Sequence, residues 1–236
     1  MMTAKEIMSQ LKSLGNENTK RVLLKHGVRE PFFGVKIEHL KPIQKKIKKD
    51  YALANELYFT NNADAMYLAG LIADDEKMTR KDLQAWVKIA LSNNISEYTV
   101  PWVTAGSKYG FELAMEWINA KEEHIAAAGW STLSGLVAIK PDSELDIKML
   151  KSLLDRVLKN IHTARNRERS TMNGFIIAAG SYVKALTKDA LSIAAKIGPV
   201  MVDKNGTACK VPNAIEYIKK MEDKQQIGNK KKMLKC

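Results

Sequence analysis

Four lysines, Lys41, Lys45, Lys48 and Lys49, fall three or four residues apart. That spacing puts them on one face of a helix, where ammonium groups can follow a row of phosphates. Arg165, Arg167 and Arg169 stand just before or at the start of another helical pattern. Guanidinium forks and the backbone N–H groups of a helix start both bind phosphate oxygens. Lys184 and Lys188 lie toward the end of that pattern. Singly, each residue reads as part of a solvated face. As a set, on a chain with 38 Lys and Arg against 26 Asp and Glu and a formal net charge of +12, they favour a polyanionic partner.

A second group offers different chemistry. A carboxylate stabilises a developing cation and aromatic faces attract cationic ligands, and Glu97, Tyr98 and Trp102 have those residue types within six positions. The plainer reading makes the two rings core and Glu97 a first-turn charge favoured by the helix dipole. Asn173 falls among Met172, Phe175, Ile176 and Ala179. A buried Asn must be hydrogen-bonded, to a backbone carbonyl of an adjacent helix pair or to a ligand.

His26, His39, His124 and His162 form no i, i+4 pair, and Cys209 and Cys236 have no CxxC spacing, so no metal site and no cofactor are expected. Cys209 reads as a small buried apolar residue in a reducing compartment. Nucleotide hydrolysis, dinucleotide binding and α/β-hydrolase chemistry have no motif behind them. The opening Met1-Met2-Thr3-Ala4-Lys5-Glu6 is not a secretory signal, and no apolar run approaches a membrane span. The expectation is a cytoplasmic protein without a membrane partner.

Helices have to position these groups. Nearly every segment carries helical spacing, interrupted by short groups of Gly, Asn, Asp and Pro. The pattern predicts helices at about 3–14, 17–26, 36–49, 51–60, 63–74, 79–92, 96–107, 110–119, 121–138, 142–161, 168–186, 187–197 and 212–223. Leu83, Trp86, Val87, Ile89 and Ala90 make one apolar stripe, which a lone helix cannot bury. A succession of such stripes predicts helix pairs stacked side by side. Residues 200–212 change character, with a turn at Asn205-Gly206 between β-branched flanks. The tail from Lys224 is Lys-, Gln- and Asn-rich and is expected to fray.

Phe32-Phe33-Gly34-Val35-Lys36-Ile37-Glu38-His39-Leu40-Lys41-Pro42-Ile43, followed by Leu53 to Tyr58 and Asp64 to Ala69, resembles the opening helices of the DNA alkylation repair proteins of the AlkC/AlkD type. Arg169 to Val183 and Cys209 to Ala214 resemble a divergent branch of that family. The resemblance implies an all-α, HEAT-like α-solenoid of about six antiparallel helix pairs, a single domain over 1–223 with a flexible basic tail at 224–236. It also implies double-stranded DNA, alkylated or branched, as partner, held by its phosphates in a basic concave groove. The founding enzymes are similar to glycosylases that excise alkylated purines, using an Asp beside tryptophans, with an Arg nearby, to stabilise the sugar cation.

This chain departs from that pattern. Between Asp82 and Glu112 the only acid is Glu97, and the positions where the Asp is sought are Thr99 and Val100. The helix expected to supply the Arg reads Ala126-Ala127-Ala128-Gly129-Trp130-Ser131. Glu97 is then the catalytic candidate, Tyr98, Trp102 and Trp130 the groove aromatics, and Lys41, Lys45, Lys48, Lys49, Arg165, Arg167, Arg169 and Lys184 the DNA contacts. Three functions stay open: a damage- or structure-sensing DNA-binding protein, an alkylpurine glycosylase with an altered site, and a protein-interaction scaffold.

Overall fold

The computed structural model describes residues 2–235. Among them every regular element is helical: α1 (Ala4–Leu14), α2 (Glu17–Lys25), α3 (Ile37–Ile47), α4 (Tyr51–Tyr58), α5 (Ala63–Ile72), α6 (Arg80–Ile89), a π-helical turn (Ile95–Thr99), α7 (Val100–Gly106), α8 (Gly110–Trp117), α9 (Glu123–Ile139), α10 (Ile147–Asn160), α11 (Asn166–Tyr182), α12 (Thr187–Ile197) and α13 (Ala214–Asp223). Short 3₁₀ turns at Asp142–Glu144 and Lys184–Leu186 precede α10 and α12. No helix of the described residues is long and apolar enough to cross a membrane.

The chain divides into two compact units where the sequence predicts one domain. The first is Met1–Tyr109 with Lys204–Ala208 and Lys235–Cys236, and the second Gly110–Asp203 with Cys209–Leu234. In the first unit α5 is the central rod, buried along all ten residues and packed against α3 and α4. The predicted stripe of α6 is buried at Leu83, Trp86, Val87 and Ala90. Trp86 stacks flat on Tyr58 of α4, with centroids 3.8 Å apart. Its indole N–H donates to Asn55 Oδ1 (3.0 Å) and its carbonyl accepts from the Tyr58 hydroxyl (2.9 Å), so no polar atom of the pair is orphaned. In the second unit α9 and α11 pack on each other, flanked by α8, α12 and α13.

One carboxylate explains the Phe32-Phe33-Gly34-Val35 motif. Asp64, in the first turn of α5, is 6% exposed. It accepts the backbone N–H groups of Phe33 (2.6 Å), Gly34 (3.0 Å) and Val35 (3.2 Å). The loop bends round it only because Gly34 takes φ 79, and a Cβ there would stand 2.6 Å from the Asn16 carbonyl oxygen and 2.8 Å from Lys20. The Phe33 carbonyl accepts from Asn16 N (3.1 Å) and the Pro31 carbonyl from Ala63 N (2.9 Å). Burial pushes the Asp64 carboxyl above its ordinary range, against the pull of the three N–H groups and of Lys20.

Several boundaries differ from expectation for local reasons. The helix predicted over 36–49 ends at Ile47 because Lys48 turns to φ 65, so Lys48 and Lys49 leave the face that Lys41 and Lys45 share. The segment after Pro199 makes the expected turn, with Asn205 at φ 53, Gly206 at φ 69 and Thr207 N donating to Lys204 O (3.0 Å), but no strands flank it. Cys209, expected to be buried, is exposed in that loop.

The tail expected to fray is tied by its lysines. Lys230 Nζ donates to the Val137 carbonyl (2.8 Å) and pairs with Asp142 (2.7 Å). Lys235 Nζ donates to the Ala73 carbonyl (2.8 Å) and pairs with Asp75 (2.6 Å), the two side chains 12% and 19% exposed. Composition hid this because lysine is read as solvated, whereas here it fills the open carbonyls that end a helix.

Replacing Asp64 by Ala strands three buried N–H donors and should cost about 3–5 kcal/mol in urea unfolding. Asn keeps an acceptor and removes the buried charge, so Asp64→Asn should cost about 1–3 kcal/mol. Equal losses in the two variants would contradict the assignment.

Candidate functional site

The Glu97 region is built on a π turn, an element common at functional sites because its wider backbone re-aims side chains. Ser92 starts it, its carbonyl accepting from Ile95 N (2.9 Å) and Ser96 N (3.0 Å) and its hydroxyl from Arg29 N (2.8 Å). Thr99 is fully buried against α5, where an added Cβ on Gly70 would meet its methyl at 2.4 Å. The widened turn therefore sits closer to α5 than any larger residue would permit. Tyr98 points outward, 53% exposed. Its ring lies 6.0 Å from Trp102, which in turn meets Tyr67 of α5 edge-on at 5.6 Å.

The two candidate roles separate here. Tyr98 and the partly buried Trp102 form an aromatic surface backed by Tyr67, a residue that sequence reading missed because it belongs to the buried stripe of another helix. Glu97, by contrast, is 8% exposed. Thr99 and Val100, where the family's Asp is sought, are both fully buried.

Trp130 is not a groove residue. It is completely buried on α9, packs on Phe175 at 5.5 Å and has the Arg156 guanidinium 5.7 Å over its ring. The run of small residues before it lets α9 pack closely, which draws the large ring into the core. Asn173 takes the structural option, its side-chain amide donating to the Pro212 carbonyl at 2.9 Å.

Among the basic candidates, Lys45, Lys48 and Lys49 are exposed and Lys41 is half-buried. Lys41 and Lys45 stand one turn apart on α3, while Lys49 reaches Asp74 at 3.5 Å. Lys184 is exposed at the 3₁₀ turn after α11.

At the start of α11 the side chains of Arg165 and Arg169 are committed to the fold. Arg165 donates to the carbonyls of Lys121 and Ala120 (3.1 Å to the latter) and pairs with Glu168 at 2.9 Å. Arg169 donates to the carbonyls of Met201 (2.8 Å) and Ala164 (2.9 Å). The Arg167 backbone N–H at the helix start donates to Glu123 Oε1 at 2.7 Å, so a carboxylate of the protein already occupies one amide expected to meet phosphate. Arg156, which sequence reading left aside, clamps the same stretch through Ile118 O (2.9 Å) and Asn119 Oδ1 (3.0 Å). Among the described residues no group of three or more His, Cys, Asp or Glu is placed to hold a metal ion.

Residues 7–218 match the family model described as DNA alkylation repair enzyme. This chain belongs to that family. Two uncharacterised proteins, from Listeria monocytogenes and Listeria innocua, are 33% and 32% identical to it over 230 residues, 95% of this chain and 99% of each relative. A solved structure superposes with a TM-score of 0.91 at 35% identity, covering 100% of both chains. It is described as a new family of proteins related to the HEAT-like repeat DNA glycosylases, with affinity for branched DNA structures. The fold of this DNA alkylation repair family member is accordingly the HEAT-like helical repeat that its motifs resemble.

Because Arg165 closes open carbonyls past α8, Arg165→Ala should lower stability by about 1–3 kcal/mol. A thermal melt measures this. An unchanged melt would place the guanidinium in solvent and free it for a ligand.

Proposed function

We propose that this chain is a DNA-binding protein that recognises branched or otherwise deformed duplex by its shape, gripping phosphates and leaving the base in place. The observation that carries the reading is the full-length likeness to a structure whose family is described as having affinity for branched DNA. The net charge of +12 supports it through counterion release. The phosphate contacts are the half-buried Lys41 and the exposed Lys45 on α3, and the exposed Lys184 in the second unit. Arg165 and Arg169 act indirectly, by fixing the helices that carry such contacts. Phosphate contacts position a protein without reading sequence, and deformability of the duplex then sets preference.

The burial of the candidate residues does not favour base excision. The only carboxylate of the π turn is buried, Thr99 and Val100 fill the Asp positions with core, and Trp130 is inside the second unit. Tyr98 and Trp102 serve instead as a surface on which an unpaired base at a junction can stack.

Lys41→Glu with Lys45→Glu should weaken binding to a four-way junction and flatten the slope of log K against log salt by roughly two, about 0.9 per phosphate; fluorescence anisotropy reads both. Unchanged affinity would remove α3 from the interface. Incubation with methylated duplex should release no alkylpurine. Release abolished by Glu97→Gln would instead select the glycosylase.

A further inference from the structure

The segment after Asp223 carries Lys224, Lys230, Lys231, Lys232 and Lys235 and no acid. On the second unit it is held at three points, two through its backbone and one through a side chain. Gly228 N donates to the Ser181 carbonyl in the last turn of α11 (2.9 Å). Lys231 N donates to the Ala138 carbonyl in the last turn of α9 (2.7 Å). Lys230, its side chain 20% exposed, is anchored on Val137 O and Asp142. The segment thus caps the C-terminal ends of the two central helices of its unit, meeting carbonyls that lack intrahelical donors.

The same bonds aim the remaining lysines. Lys231 Nζ stands 5.4 Å over the Tyr182 ring, and Lys231 and Lys232 are exposed. Gly228 lies against Lys184: a Cβ added there would be 3.7 Å from the Lys184 Cβ. Lys184 and the strap are therefore neighbours on one surface, although about forty residues separate them in sequence.

We propose that the C-terminal segment is an ordered basic strap that forms, with Lys184, a second phosphate-binding surface for DNA, and that Lys230 is its positioning residue. This rests on the DNA-binding reading. A lysine tail free in solution gives up conformational entropy when it binds, whereas a strap already fixed has met that cost on folding. The asset is order as well as charge.

Asp142→Lys separates the two. It repels Lys230 and loosens the strap while making the protein two charges more positive. Bare electrostatics predicts tighter junction binding, and the strap predicts weaker binding together with faster exchange of the Lys231 amide. Lys231→Glu with Lys232→Glu should weaken binding and flatten the salt slope by roughly two. Lys232→Glu alone, away from the anchoring bonds, should flatten it by about one with an unchanged melt. Tighter binding by Asp142→Lys, or wild-type affinity in the lysine variants while Lys41→Glu with Lys45→Glu still weakens it, overturns the strap and leaves the DNA reading standing. No junction binding by the unaltered protein overturns both.

Discussion

Every α-helix ends on backbone carbonyls that have no partner within the helix, and a protein made almost wholly of short helices has many such ends. This chain closes a number of them with cations. Arg156 and Arg165 take the carbonyls of Ile118, Ala120 and Lys121 past α8, Lys230 takes Val137 in the last turn of α9, and Lys235 takes Ala73 at the end of α5. A charged donor on a carbonyl is stronger than a neutral one and is favoured again by the helix dipole. Asp64 is the mirror image near a helix start, an anion that gathers three N–H groups from the loop ahead of α3.

This division governs how the positive charge is to be read. A net charge of +12 suggests a surface made for polyanions, yet part of it is spent inside the fold. What remains for a partner are exposed lysines that meet no carbonyl or carboxylate among the described residues, such as Lys45 on α3 and Lys184 after α11. The exposed lysines of the strap stand between the two classes, because their neighbours Lys230 and Lys231 N make the structural bonds that hold them out.

Much of the architecture was legible in the residues, and the reasons are local. Apolar spacing placed thirteen helical segments close to where they lie, since period and capping residues such as Thr79 and Asn62 are encoded within a few positions. The Asn205-Gly206 turn was legible because only such residues accept two successive positive φ values. Sequence could not show that Trp130 is enclosed or that Arg165 reaches Lys121, 44 residues away. Those facts depend on which helix packs on which. Nor did residue type separate a lysine that caps a helix from one that meets solvent: Lys230 and Lys232 are two positions apart in one basic run, and the Val137 carbonyl and the Asp142 carboxylate beside the first distinguish them. The π turn looks like ordinary helix in the residue pattern, since one inserted residue barely alters the apolar period.

Two populations of cations are proposed to coexist in this fold, one holding helix ends and one left to meet DNA phosphates. Lysine footprinting by acetylation and mass spectrometry, with and without a four-way junction, tests it most directly. Slow modification of Lys230 and Lys235 is expected in the free protein, with fast modification of Lys45, Lys184 and Lys232 and protection of the fast set when DNA is added. Equal reactivity of all five in the free protein, or a fast set that DNA leaves unprotected, would contradict it.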